Sequence, residues 1–356
     1  MNTRIKHNNP GLGFSWHVLL FAAVCIAFGV SLMLGSASIP PMDVLHALTE
    51  YKGNSVSQTW HSIIWEIRFP RAATAIFAGS ALSLSGLQMQ TLFRNPLAGP
   101  SVLGITAGAS LGVAVVILGI GGGLSFISAN VSVVSSWLIV TAASLGSFFI
   151  LLLILLVALK LRDNVTLLIV GLMVGNMTIA LVSIWQYYSN PQQIQDYLIW
   201  VFGSLGGVYG EQLWILAAIT LAGGLLSLLL AKPMNGFLMG EHYAQSMGID
   251  VHKIRMGLIF ITSILAGSVT AFCGPIGFIG IAVPHLVRSL FGTNNHLFLV
   301  PGTLLMGALL MLICDIVAKL PGSPQSLPIS SVTALIGSPV VIWVIIKQKN
   351  LKGAFA

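Results

Sequence analysis

The feature that most constrains this chain is a series of long apolar runs joined by short polar connections. Residues 95–159 contain no Asp, Glu, Lys or Arg, and residues 256–287 contain none either. Charged residues make up 7% of the chain, against roughly a quarter in a soluble domain. So few charges are insufficient to cover a soluble core, and the sequence predicts a polytopic membrane protein.

A helix needs about 20 mainly apolar residues to cross a bilayer, and this length defines the predicted spans. The clear spans are Trp16–Gly35, Ala72–Phe93, Ser101–Gly119, Val131–Leu159, Val165–Tyr188, Gln212–Ala231, Leu297–Cys314 and Ile329–Ile346. The cluster Gly121–Gly123, together with Asn130, separates the third span from the fourth. In residues 256–287, Gly274 and Pro275 interrupt the run, which predicts one helix and then a shorter one ending near Pro284 and His285.

These spans predict an all-α fold with about ten transmembrane helices and a single domain, residues 1–356. An even number of spans places both termini on the same side, and the positive-inside rule selects the cytoplasm. With that orientation most cations fall inside: Arg4, Lys6, Arg94, Lys160, Arg162, Lys232, Lys253, Arg255, Arg288, Lys347, Lys349 and Lys352. Those left outside are Lys52, Arg68, Arg71 and Lys319.

Three polar connections stand out from the spans. The external loops are about 36–67, which includes the short helical pattern "PMDVLHALTEY", and about 190–210, which predicts a partial helix along the membrane face. The longest internal loop is about 232–255 and contains "GEHYAQSMGIDVHKIR". From its residues alone, this segment is either a solvated loop or a short docking helix that fits a partner's groove.

Motifs of enzyme chemistry are absent from the sequence. The dipeptide Gly-Lys never occurs, so there is no P-loop, and there is no H-E-x-x-H metal motif. The cysteines Cys25, Cys273 and Cys314 lie in apolar runs without metal-ligand spacing and are expected to pack as small hydrophobic residues. Asp315 is the one acidic candidate within the spans, although self-powered carriers usually need intramembrane carboxylates. These absences argue against an enzyme and against a self-powered carrier. We therefore expect no catalytic residues, bound cofactor or metal on this chain, and a source of energy outside it.

Several motifs occur in order along most of the chain, from about residue 15 to 347. They are "IRFPR", "AGSALSLSGLQMQTLFRNPLAGPSVLGITAGASLG", "GEHYAQSMGIDVHKIR", "GPIGFIGIAVPHLVR", "LICDIVAKL" and "TALIGSPVVIW". Together they resemble the FecCD/BtuC-type permeases of bacterial ATP-binding-cassette (ABC) importers for iron–siderophore, haem and cobalamin. The resemblance implies a type II importer permease of the inner membrane, two permease subunits and two ATPase subunits that bind ATP and Mg²⁺. It also implies a periplasmic or surface-anchored binding protein that delivers the cargo, and no nucleic acid.

The resemblance also suggests functional residues toward the cytoplasm. The loop "GEHYAQSMG" matches the element that docks on the ATPase, with Gly240, Glu241, Ala244 and Gly248 in the family positions. Glu241 is expected to cap the N-terminus of the short helix there. In "RNPLAGP", Asn95 and Leu97 match constriction residues at the cytoplasmic end of the pathway, where Asn95 is expected to satisfy backbone groups and Leu97 to close the opening. A rigid structural turn is a compatible alternative.

On the external side, Arg68 and Arg71 resemble arginines that face acidic residues of the binding protein, and Lys319 takes a third such position, where the family usually has Arg. Anchoring of the second helix at the interface is the alternative for Arg68 and Arg71. Asn176 and Thr178 are expected to line the pathway, although a helix–helix hydrogen bond is as good an interpretation for Asn176. The sequence departs from the family's Glu-Leu-Pro-Val-Gly at residues 326–330, which here read Ser-Leu-Pro-Ile-Ser.

The expected cargo is a ferric siderophore, with haem or cobalamin as the alternative. The sequence leaves open whether the second permease subunit is another copy of this chain or a paralogue. A stand-alone secondary transporter and a structural subunit of a redox complex are the more distant alternatives.

Overall fold

The computed structural model describes residues 10–49, 55–119, 132–161, 164–320, 322 and 325–353, and its regular structure is helical throughout these ranges. The α-helices, in chain order, are α1 (Pro10–Met33), α2 (Pro41–Thr49), α3 (Ser55–Ser62), α4 (Phe69–Leu92), α5 (Ile105–Ala114), α6 (Ser132–Lys160), α7 (Asn164–Tyr188), α8 (Pro191–Phe202), α9 (Glu211–Leu229), α10 (Ala231–Met239), α11 (Glu241–Ser246), α12 (Val251–Cys273), α13 (Ile279–Phe291), α14 (His296–Ala318) and α15 (Ile329–Gly353). A π-helical stretch, Ile63–Arg68, joins α3 to α4, a second one, Val115–Gly119, extends α5, and a 3₁₀ turn, Pro100–Leu103, precedes α5.

The prediction of an all-α polytopic fold is confirmed. Within the described ranges, seven helices are long and apolar enough to cross a membrane, and three shorter apolar helices accompany them. The shorter ones are Ile105–Gly119, Ile279–Phe291 and Ile329–Trp343. These ten helices correspond to the ten predicted spans, whereas Gly121–Gly123, Asn130 and Val131 lie outside the described residues.

Some helix limits differ from the prediction because of local backbone geometry. The third span begins at Ile105 instead of Ser101, since Gly104 adopts a left-handed conformation with φ of 75° and separates the 3₁₀ turn from α5. Helix α13 does not end near Pro284 but continues to Phe291 and stops at Gly292, whose φ is 61°. Pro284 lies inside the helix and removes a single backbone donor, a loss that α13 tolerates.

The two predicted surface helices are present. Residues 41–49 of the pattern "PMDVLHALTEY" form α2, while Glu50 and Tyr51 lie outside the described residues. Residues 190–210 begin with α8. The side chain of Asn190 caps α8 by accepting from the backbone N–H of Gln193 at 3.1 Å, and Gln193 bonds back to the Asn190 N–H. This capping box explains why a helix begins at that point.

Helix α4 lies at the centre of the bundle, and glycines bring its neighbours into backbone contact. A Cβ built on Gly79 would lie 2.2 Å from the Gly307 carbonyl oxygen of α14, and one on Gly86 would lie 1.6 Å from that of Gly280 in α13. No side chain fits into either space. Small residues at such crossings let membrane helices approach closely and pack.

The non-helical segment before α5 meets the first turn of α13 beside α4. A Cβ on Gly99 would lie 3.0 Å from the Ile281 side chain, and one on Gly280 would lie 2.8 Å from the ring of Pro100. Non-helical backbone in a membrane protein is tolerated where protein buries it or where it lines a cavity. This meeting point connects the "RNPLAGP" loop to the start of α13.

Candidate functional site

The segment "RNPLAGP" forms a tight loop after α4. Arg94 has a φ of 47°, and the Asn95 side-chain oxygen accepts from the backbone N–H of Leu97 at 2.9 Å. The backbone oxygen of Asn95 also accepts from Ala98 N–H at 3.1 Å. Asn95 thus satisfies backbone donors as the sequence predicted, and Leu97 projects outward with 42% of its surface exposed. We call residues 94–99 the gate loop.

Helix α13 holds the gate loop from one side. His285 Nε2 lies 2.7 Å from the Pro96 carbonyl oxygen. Just before the loop, the Gln90 side chain donates to the Ile281 carbonyl at 3.1 Å and accepts from the Arg288 guanidinium. Three side chains therefore connect the end of α4 and the gate loop to α13. None of these contacts was predicted from the sequence, because the partners are about 190 residues apart along the chain.

At the same end of the bundle, α10 and α11 form a compact projection that glycines shape. Gly240 separates the two helices with a φ of 110°, and Gly248 follows α11 with a φ of 79°, values that favour glycine. Ala244 is fully buried between them, and its carbonyl accepts from Ile249 N–H at 3.0 Å. The predicted short helix is thus present, and we call residues 231–250 the docking element.

Glu241 forms an ion pair in the structure. Its carboxylate accepts from the Arg255 guanidinium at 2.8 and 3.0 Å, and Arg255 also reaches the Leu161 carbonyl at 3.3 Å. Arg255 is 4% exposed. The N-cap of α11 is Gly240, so the prediction that Glu241 caps the helix is wrong. Glu241 is the first residue of the helix, and its pairing with Arg255 fastens the docking element to α12 and to the end of α6.

Exposed apolar side chains lie on the docking element. Met239, at the end of α10, and Tyr243 and Met247, in and just after α11, are all more than half exposed. Tyr243 and Met247 are four residues apart and lie on one face of α11, whereas Gly240 interrupts the helix between Met239 and Tyr243. These exposed residues were not predicted from the sequence. Asp250 begins α12 by accepting from Lys253 N–H at 3.1 Å, and that hydrogen bond lowers the pKa of the Asp250 carboxyl.

At the opposite end of α4, Arg71 and Lys319 lie around a buried acid. Arg71 Nε lies 2.7 Å from one oxygen of Asp315, and Lys319 Nζ lies 2.9 Å from the other. Asp315 is fully buried. Lys319 also donates to the backbone and side-chain oxygens of Ser31, at 3.0 and 2.8 Å.

Arg68 lies in the same region but contacts α1. Its guanidinium donates to the carbonyls of Leu32 and Met33 at 2.7 and 2.8 Å and to that of Ala37. Arg68 and Lys319 are buried, whereas the Arg71 side chain is 22% exposed. The docking role of the three cations stays a prediction, and Arg71 is the one of them best placed to meet a partner.

The two residues expected to line a pathway lie on different faces of α7. Asn176 is exposed. Thr178 is buried and donates to the Val174 carbonyl of its own helix at 2.8 Å. Residues two apart on a helix do not share a face. The structure therefore leaves Asn176 as the better candidate of the pair.

One of the departures at residues 326–330 has a contact of its own. The Ser330 hydroxyl donates to the Phe202 carbonyl at 2.8 Å and so connects the start of α15 to the end of α8. Among the described residues, no group of three or more His, Cys, Asp or Glu side chains is arranged to hold a metal ion.

Comparison with known proteins gives consistent matches over nearly the whole chain. The model of the FecCD transport family matches residues 22–347. The vitamin B12 import system permease protein BtuC of Salmonella typhi is 34% identical over 339 residues, covering 94% of this chain and 95% of that protein. The hemin transport system permease protein HmuU of Yersinia pestis is 34% identical over 323 residues, covering 90% and 93%.

A solved structure has a similar fold. It is a chain of a metal-chelate type ABC transporter in an inward-facing conformation, with a TM-score of 0.78 and 29% identity. The match covers 94% of this chain and 99% of that one.

Proposed function

This chain belongs to the FecCD transport family and is a permease of ABC importers in the bacterial inner membrane, and we propose that its cargo is a ferric siderophore or a similar iron chelate. The observation that carries the importer assignment is the match across residues 22–347, supported by a docking element that is both rigid and exposed. The cargo moves from the periplasm to the cytoplasm by alternating access, which exposes the pathway to one side at a time.

The energy for that exchange comes from partner chains. A permease of this class works with ATPase subunits and a second permease subunit. ATP and Mg²⁺ bind to the ATPases in this proposal, and this chain holds no resident cofactor. The second permease subunit is either another copy of this chain or a paralogue, and membrane lipids surround the assembly.

The docking element is the proposed contact with an ATPase subunit. Its exposed side chains of Met239, Tyr243 and Met247 offer apolar surface, and Gly240, Ala244 and Gly248 keep the projection compact. The pair between Glu241 and Arg255 ties it to α12, so a movement imposed on α11 is passed to a long membrane helix. Apolar side chains on a rigid element bind a groove with little loss of conformational freedom.

The gate loop is the proposed constriction on the cytoplasmic side. Asn95 fixes the turn and Leu97 projects from it, so a small movement of the loop displaces an apolar side chain. On the periplasmic side, Arg71 is the proposed contact for an acidic residue of a binding protein, with Lys319 and Arg68 behind it. Exposed charges of this kind raise the rate of encounter and fix the orientation of the partner.

A ferric siderophore is a large polar chelate, and the proposed path for it is neutral. Helix α7 has no Asp, Glu, Lys or Arg from Asn164 to Tyr188, and Asn176 offers an amide on its exposed side. Haem and cobalamin are the alternative cargoes, because the similar permeases from Salmonella typhi and Yersinia pestis are described for vitamin B12 and hemin. A stand-alone secondary transporter is a distant alternative. It is disfavoured because it would have no ATPase for the docking element to bind.

The test is accumulation of radioactive iron from a ferric siderophore in cells with and without this chain, with haem and cobalamin measured in parallel. Loss of siderophore-iron uptake alone supports the proposed cargo. Loss of haem or cobalamin uptake with normal siderophore uptake would show that the cargo is wrong and that the importer assignment holds. ATP-independent, ion-driven uptake by the purified chain alone would favour the secondary transporter.

A further inference from the structure

The end of α4 that carries the gate loop is connected to the docking element through one buried histidine, His296. This residue is the first of α14 and has no exposed surface. Its Nδ1 lies 2.7 Å from the side-chain oxygen of Asn235, which also accepts from the His296 backbone N–H at 2.9 Å. Its Nε2 lies 2.8 Å from the hydroxyl of Thr91.

The two partners of His296 lie in helices that lead to different candidate functional segments. Asn235 is in the middle of α10, five residues before Gly240, where α11 begins. Thr91 is in the last turn of α4, three residues before Arg94 of the gate loop. His296 therefore joins α10, the first helix of the docking element, to the helix that leads into the gate loop.

The hydrogen-bond roles at His296 follow from its neighbours. The side-chain oxygen of Asn235 carries no proton and can only accept hydrogen bonds. Because this oxygen is the partner of Nδ1, Nδ1 must be the donor and therefore carries a proton. In the neutral imidazole Nε2 is then the acceptor, and Thr91 supplies the proton. Because the Thr91 hydroxyl has a single proton, His296 competes for it with the Leu87 carbonyl, 2.8 Å away in the same helix. The end of α4 thus has two alternative hydrogen-bonding arrangements.

Arg94, the first residue of the gate loop, also lies near the docking element. A Cβ built on Gly240 would lie 3.6 Å from a guanidinium nitrogen of Arg94. On its other side the loop is held by His285 of α13 through Pro96. A shift of α10 therefore acts on a loop whose opposite side is fixed, which displaces Leu97.

We propose that His296, held by Asn235 and Thr91, is the positioning residue that transmits movement of the docking element to the gate loop. This inference rests on the proposed function, since it requires the docking element to meet an ATPase. It goes further by assigning residues to the transmission: Asn235 within the docking element, and His296 and Thr91 outside both segments. Coupling through such a contact typically changes an equilibrium about fivefold or more.

The experiment uses the full complex of permease, ATPase and binding protein, purified and placed in nanodiscs. Leu97→Cys is introduced together with Cys25→Ser, because Cys25 is exposed whereas Cys273 and Cys314 are buried. The rate at which a maleimide labels residue 97 is measured without nucleotide and after trapping with ATP and vanadate. ATP hydrolysis is measured on the same preparations.

The variants test the His296 contact, and Asn235→Ala also removes the hydrogen bond that the Asn235 amide donates to Asn295 at 2.9 Å. Thr91→Val removes the hydroxyl, Thr91→Ser retains it, and Asn235→Ala removes the other partner. Thr74→Val is the matched control, because Thr74 is a buried residue of the same helix whose hydroxyl bonds only to the Pro70 carbonyl. Combining Thr91→Val with Asn235→Ala tests whether both act through one contact, since independent contacts would give additive losses.

We expect Thr91→Val and Asn235→Ala to reduce the nucleotide-dependent change in labelling about fivefold or more with ATP hydrolysis retained, and the double variant to be no worse than the singles. Thr91→Ser and Thr74→Val should keep the change. The proposal is overturned if both single variants keep the full change, or if they lose it only together with assembly or ATP hydrolysis, which would make the contact purely structural. If the wild-type complex shows neither a nucleotide-dependent change nor ATP-driven uptake, the proposed function fails and the inference fails with it.

Discussion

At the scale of single residues, Arg68 shows how a charged side chain near the membrane surface can stabilise the fold through hydrogen bonds. Its guanidinium satisfies the carbonyls of Leu32 and Met33 at the end of α1, where a helix leaves acceptors unpaired. Hydrogen bonds to charged groups contribute more than neutral ones, so Arg68→Ala should lower the stability of the purified permease by about 3 kcal/mol. Thermal unfolding in detergent measures this. Lys253→Ala, which removes an exposed ion pair with Asp250, is the control and should change stability by less than about 1 kcal/mol.

Arg71 should behave differently from Arg68, because its side chain remains partly exposed beside Asp315. Arg71→Glu reverses the charge offered to an acidic partner, so we expect binding-protein affinity to fall, with a larger loss at low salt than at high salt. Surface binding assays on the reconstituted complex at two salt concentrations give the result. An equal loss at both concentrations would mean that Arg71 acts by holding Asp315 in place and has no part in docking.

At the scale of helices, the close crossings of α4 set the architecture. Gly86 meets the backbone of α13 with no room for a side chain. Gly86→Ala should therefore destabilise the permease by about 3 kcal/mol or more, through overpacking against backbone that has little freedom to move. Gly257→Ala on α12 is the matched control: its Cβ would lie 3.9 Å from the Leu230 side chain, an ordinary contact. That change should stabilise the helix by up to about 1 kcal/mol. Equal unfolding temperatures for the two variants would contradict the packing argument.

A second prediction at the scale of helices concerns the exposed side chains of the docking element. Tyr243→Ala and Met247→Ala each remove an exposed apolar side chain from the same face. If that face binds an ATPase, each change should weaken association about tenfold, as truncation of a central interface residue does. Pull-down of the ATPase with graded subunit concentrations provides the measurement. Leu335→Ala removes a side chain of α15 that is 75% exposed and should leave association unchanged.

At the scale of the whole molecule, the sequence predicted the number of spans because each one is specified by its own residues. Helix α4 is recognisable from Ala72 to Phe93 without knowledge of any other segment. The contacts between functional residues, in contrast, join residues that are far apart along the chain. Asp315 lies 244 positions from Arg71, and His296 lies 205 from Thr91, and no local pattern signals either pair. Prediction from local pattern therefore gave the helices and the candidate loops. It placed Arg68 and Lys319 on a surface facing a partner, with anchoring as the alternative for Arg68, whereas the structure buries both side chains.

The path of the cargo depends on how all the helices pack together. A substitution on α7 tests whether the path runs along this helix. Asn176 is exposed and lies on a helix without charges, so a bulky substitution there should obstruct a pathway that runs along this face. We expect Asn176→Trp to slow siderophore-iron uptake about tenfold, roughly 1.4 kcal/mol in the barrier, with ATP hydrolysis and assembly retained. Met177→Trp is the matched control, since Met177 is also exposed but is rotated by about 100° around the helix. Uptake that slows equally in both variants would mean that bulk anywhere on α7 disturbs packing against a neighbour, and the pathway would then have to follow another helix.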